Sequence, residues 1–109
     1  MWKFFLVALL AAAQAPSINV YPAGGIAPLA VRVRTTIPKD ASNRAACVFV
    51  VSDVGEESES CWSLDGDRAA VTTTRFYELS AGEYKFGLTV ERAAQKVETV
   101  WVKITVIGN

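Results

Sequence analysis

The sequence contains no histidine. That removes the side chain most used as a metal ligand and as a general base near neutral pH. Cysteine is nearly as scarce: Cys47 and Cys61 are the only two, and they do not form the Cys-x-x-Cys spacing of catalytic dithiols. No Gly-x-Ser-x-Gly elbow or Ser-x-x-Lys pair occurs, so a serine hydrolase would lack its ordinary activating geometry. An excess of one charge is missing too, since 11 basic residues stand against 11 acidic ones. Such a balance offers no electrostatic attraction to nucleic acid or to an anionic membrane surface. Together these absences predict a protein that is not an enzyme and needs no cofactor.

Long hydrophobic runs are also absent, with one exception at the N-terminus. Phe4 to Ala13 is an apolar stretch of about ten residues, well short of the roughly 20 needed to span a bilayer. Lys3 precedes it and small residues follow, which is the layout of a secretory signal peptide. We expect a leader over 1–13, with cleavage after Ala13. The triplet Ala13-Gln14-Ala15 allows cleavage after 15 instead, but Pro16 would then follow the scissile bond, where its fixed ring fits poorly. The mature domain is expected over 16–109, secreted or periplasmic/extracellular, with no membrane association once the leader is gone.

What the chain has in quantity is short alternating segments. Ser17 to Tyr21 alternates and stops at Pro22, and Gly24-Gly25 with Pro28 breaks the chain before the next run. Leu29, Val31, Val33, Thr35 and Ile37 share one face, with Arg32, Arg34 and Thr36 opposite. Pro38 to Asn43 is a polar loop, and Cys47 to Val51, apolar on both faces, suits a central strand. Ala70 to Phe76 is Thr-rich. Tyr84, Phe86, Leu88 and Val90 then alternate with Lys85, Gly87, Thr89 and Glu91, and Val97 to Ile107 closes the chain. About seven strands with no long helix predict an all-β fold, an Ig-like two-layer antiparallel sandwich.

The most specific local expectation concerns Cys47 and Cys61. Asp53-Val54-Gly55 reads as a three-residue hairpin loop in which Gly55 takes the left-handed position of a G1 bulge. Pairing Ser52 with Glu56 then sets Cys47 directly opposite Cys61 at a non-hydrogen-bonded position. There the Cα atoms come within about 4.5 Å, a spacing a disulfide tolerates. In an exported chain the pair should oxidise. The bridge would contribute at most about 3 kcal/mol, and less here because the hairpin already closes the loop.

Leu79, Gly82 and Tyr84 match the spacing of the tyrosine corner of immunoglobulin-like sandwiches. With Ala27-Pro28-Leu29-Ala30-Val31, Trp62 and the Val-rich last strand, they resemble the PKD domain or a bacterial or phage Ig-like relative. The family's Trp-Asp-Phe-Gly-Asp-Gly segment is replaced by Trp62-Ser63-Leu64-Asp65-Gly66-Asp67, and an extra hairpin intervenes. Asp65 and Asp67 do not continue into a calcium loop and read as a turn. The resemblance implies a non-enzymatic extracellular interaction module that binds another extracellular protein. A small carbohydrate-binding module is the alternative. The candidate partner surface is Trp101 and Val97 on the last strand, plus the acidic hairpin residues Asp53, Glu56, Glu57 and Glu59. Trp101 points outward if Val100, Val102 and Ile104 point inward, and the reversed register would bury it.

Overall fold

Strands form where apolar side chains recur at every second position, because that period places them all on one face. In a computed structural model that describes residues 15–65, 70–93 and 96–108, the order is β1 (Ser17–Tyr21), β2 (Gly24–Ile26), β3 (Leu29–Ile37) and β4 (Asn43–Ser52). There follow β5 (Glu57–Ser63), β6 (Val71–Leu79), β7 (Gly82–Arg92) and β8 (Lys96–Ile107). The leader expected over 1–13 and the turn at Gly66-Asp67 lie outside the described residues. Among those described there is no α-helix, and none long and apolar enough to cross a membrane.

The strands make two sheets, one ordered β1-β3-β6 and the other β2-β8-β7-β4-β5. Neighbours pair antiparallel except β2, which runs parallel to β8. The fold is the expected two-layer sandwich with a strand more than the alternation indicates. That strand is β2, which the Gly-Gly pair disguises as a break in the chain. A Cβ on Gly24 would sit 3.0 Å from the Thr105 carbonyl oxygen, so a bare backbone is what lets β2 close onto the edge of β8.

Inward faces follow the alternation closely. Val31, Val33, Thr35 and Ile37 of β3 are buried, while Arg32 and Arg34 between them are exposed. Phe86, Leu88 and Val90 of β7 are buried completely. Two clusters result: Val20, Val31, Val33 and Leu79 against Val50, Phe86, Ile104 and Val106, and Ile37 against Ala46, Val48, Leu88 and Val90. Each large side chain so buried contributes about 1.5–3 kcal/mol.

Polar groups finish the margins. At one end Arg92, only 15% exposed in its side chain, donates from Nε to Asn43 Oδ1 at 3.1 Å and also pairs with Glu98. Buried Asn43 in turn donates from Nδ2 to the Pro38 carbonyl at 3.0 Å, tying the polar loop to β7. Between the edge strands β5 and β6, the Arg75 guanidinium lies 5.6 Å from the Trp62 ring centre. Trp62 is therefore half-buried against the second cluster, and an inward-pointing charge guards the edge.

Candidate functional site

The β4–β5 hairpin places the chain's two sulfurs. Gly55 has φ of 88°, a left-handed conformation that glycine adopts without a Cβ clash. The loop is closed by Ser52 N donating to Glu56 O at 2.9 Å and Gly55 N to Ser52 O at 3.1 Å. Outward from that loop Val51 faces Glu57, Phe49 faces Glu59 and Cys47 faces Cys61. The cysteines are joined as a disulfide with their Cα atoms 4.1 Å apart.

Because odd-numbered residues of β4, β5, β7 and β8 point away from the core, they assemble into rows across the outer face of the larger sheet. One row is Cys61, Cys47, Thr89 and Thr99. Its neighbour is Glu59, Phe49, Gly87 and Trp101. Glu59 and Cys61 stand two apart on β5 and so share this face, and a Glu59 carboxylate oxygen and both sulfurs lie within 4.8 Å of one another. Cys61 and Glu59 are exposed and Cys47 half-buried. Among the described residues no second layer covers them, and β5 is the edge strand.

Beyond Glu59 the adjoining row is apolar. Trp101, 53% exposed, lies over Gly87, where a Cβ would come 2.4 Å from the indole. Its ring centre is 6.5 Å from that of Phe49. Lys85 and Lys103 border this patch, and Lys103 Nζ is 3.2 Å from Glu83.

The candidate partner residues thus divide. Trp101, Val97, Glu57 and Glu59 lie on this outer face, whereas Asp53 and Glu56 sit at the exposed hairpin tip. Asp53 is engaged by its backbone, its N–H donating to Glu83 O at 2.9 Å. At the corner, the Tyr84 hydroxyl donates to the Ser80 carbonyl at 2.9 Å. Leu79 is buried beside it, and Gly82 has φ of 147°. Sequence reasoning missed the grouping of Glu59 with the cysteines, although the spacing of two from Cys61 already put it on their face. It also missed Phe49, because a strand apolar on both sides reads as covered on both sides.

Chemically, the cluster offers a two-electron couple with a carboxylate beside it. In the disulfide state neither sulfur carries the negative charge that a metal ligand requires. The three donors do not fit a metal ion in that state.

No protein-family model matches the sequence, and no curated protein sequence matches it. Among solved structures, the fold is similar to that of a superoxide reductase (neelaredoxin) from Ignicoccus hospitalis, with a TM-score of 0.68 and 15% identity over 85% of this chain and 80% of that one. At that identity the likeness is one of fold. It nevertheless corrects the expectations that leaned on fold analogy. The PKD-like membership has no support, since the structural likeness is to another protein. The reading as a non-enzymatic, protein-binding module, with carbohydrate binding as its alternative, is withdrawn, and so is the expectation of no enzymatic role. The same sandwich serves an enzyme elsewhere, and the outer face here carries a Cys/Glu/Cys cluster.

Proposed function

We propose that this chain is a redox protein whose working group is the Cys47–Cys61 pair, cycling between disulfide and dithiol with Glu59 beside it. The observation that carries the reading is the position of the bridge, on a sheet face that none of the described residues covers, with Cys61 on the edge strand β5. An incoming thiolate reaches the exposed Cys61 sulfur without disturbing either core cluster. The bridge is also largely redundant for the fold. It crosses a hairpin already zipped from Ala45–Ser63 to Val51–Glu57, so opening it releases little loop-closure entropy.

Likeness to a superoxide reductase supports the view that this sandwich accommodates redox chemistry. Superoxide reduction itself does not carry over, because it consumes one electron at a time and a dithiol–disulfide couple moves two. The partner in exchange is a protein or low-molecular-weight thiol, in the exported setting that the leader suggests.

Equilibration against graded thiol–disulfide buffers, read by alkylation of free thiols, tests the proposal. We expect a reduction potential at or above about −270 mV, in the range of dithiol oxidoreductases. A bridge that stays closed below about −300 mV is a structural disulfide and ends the reading.

A further inference from the structure

Among the described residues β5 pairs with β4 alone, so one side of its backbone is unused. The hydrogen-bond phase of the hairpin fixes which residues supply that side. Ser52 N donates to Glu56 O and Leu64 N donates to Arg44 O, so the even-numbered positions bond inward to β4 across an unbroken register. The N–H and C=O groups of Glu57, Glu59, Cys61 and Ser63 therefore point away from β4, along the free edge. The same four residues have their side chains exposed on the outer face. Trp62 and Arg75 fill the inner side, but β5 itself carries no proline, lysine or bulge, the usual obstacles to an added strand. Its charge has one sign: Glu57 and Glu59 on the strand, Asp53 and Glu56 at the tip, and no basic residue from Asp53 to Ser63. A second copy of this edge carries the same acids and repels it, whereas lysine or arginine at alternate positions complements it.

We propose that the free edge of β5 takes up an extended segment of a partner protein, antiparallel to β5, with a cysteine opposite Cys61 and basic side chains opposite Glu59 and Glu57. The proposal rests on the redox reading above and names the partner of that same bridge. In such a pairing the residue opposite Cys61 sits at a hydrogen-bonded position, with Cα atoms about 5.5 Å apart, a spacing that a disulfide tolerates. Its side chain falls on the outer face, beside the Cys61 sulfur. Because Cys47 and Cys61 are directly opposed, their bond crosses from β4 to β5, and a thiolate arriving from the free edge meets Cys61 on the side away from the leaving sulfur. Cys47 has β7 on its other side and offers no such approach.

The partner's thiolate forms a bond to Cys61 Sγ as the Cys61–Cys47 bond breaks, and Cys47 leaves as a thiolate that takes a proton from solvent. A second thiolate of the partner then attacks the partner's sulfur in the mixed disulfide, and Cys61 leaves and is protonated. Two electrons pass from the partner's dithiol to the bridge, and its two protons pass through solvent to the protein's thiols.

The test presents the full oxidised protein with a blocked peptide in which cysteine is followed, at its second and fourth neighbours, by lysine, with threonine between. Mixed disulfides are trapped by acid quench and mapped by mass spectrometry. We expect this peptide to react at least about tenfold faster at low salt than the same peptide with glutamate for lysine. The gap should narrow with added salt and in Glu57→Gln/Glu59→Gln, and the adduct should lie on Cys61. N-methylating the lysines, whose N–H groups face β5, should abolish the advantage, and N-methylating the threonines, which face away, should not. Equal rates for the lysine and glutamate peptides, adducts on Cys47, or indifference to lysine N-methylation would each overturn the proposal. A lysine peptide with serine for cysteine reads docking without exchange, through the backbone amide NMR shifts of Glu57, Glu59 and Cys61. Unmoved amides with a reduction potential in the oxidoreductase range defeat the docking alone. Shifted amides with a potential below about −300 mV defeat the redox reading and leave the docking edge.

Discussion

At the scale of single residues, Gly87 is the position with least freedom to change. The indole of Trp101 occupies the space a side chain would need, with a Cβ clash at 2.4 Å, so Gly87→Ala must push the ring off β7. We expect a loss of about 1–3 kcal/mol, measured by chemical denaturation. Combining it with Trp101→Ala should cost less than the two changes separately, because the second removes what the first collides with. Tyr84→Phe is milder. Its hydroxyl donates to Ser80 O from a solvent-accessible position, so the expected loss is about 0.5–1 kcal/mol, and an unchanged denaturation midpoint would dismiss the corner hydrogen bond as a stabilising contact. Alternation alone set Trp101 and Val97 on one face of β8 and left open whether that face turns inward or outward; the structure turns it outward. The glycine beneath the tryptophan was not legible, because the two meet only once β7 and β8 lie side by side.

Among the elements, the loop before β4 and the end of β7 are held by Arg92, Asn43, Glu98 and Asp40. Asp40 accepts hydrogen bonds from the Ser42 hydroxyl at 2.6 Å and the Ser42 N–H at 2.9 Å. These bonds, with a smaller contribution from Arg92 and against a small desolvation cost, hold its carboxyl below the ordinary aspartate value. A group whose folded value is depressed adds stability above its unfolded pKa and loses that contribution as pH falls through the folded one. Asp40→Asn should therefore flatten the acid side of the stability profile while leaving the neutral-to-alkaline slope unchanged, as thermal melts across pH will report. Asn43→Ala, which leaves the half-hidden Arg92 Nε without its acceptor, should cost about 1–3 kcal/mol at neutral pH. The extent of most strands could be read from alternation to within a few residues. This polar junction could not, since Asn43 and Arg92 are far apart in the chain and nothing local pairs them.

For the whole molecule, the prediction that matters most is that reduction leaves the sandwich standing. Both core clusters lie on the inner faces, and the bridge lies outside them, so the reduced protein should keep its far-UV spectrum and lose less than about 3 kcal/mol. Collapse on adding a dithiol would contradict the redox reading. By itself the sequence determined the two-layer all-β architecture and the hairpin register, because period-two alternation and a glycine able to take positive φ act over a handful of neighbouring residues. Only the tertiary structure decided which outward residues become neighbours. Rows such as Glu59, Phe49, Gly87 and Trp101 exist only once four strands have set their registers against one another, and that long-range pairing, invisible to any local pattern, is what sets Trp101 over Gly87 and beside Phe49, whereas the hairpin alone brings the Glu59 carboxylate to the sulfurs.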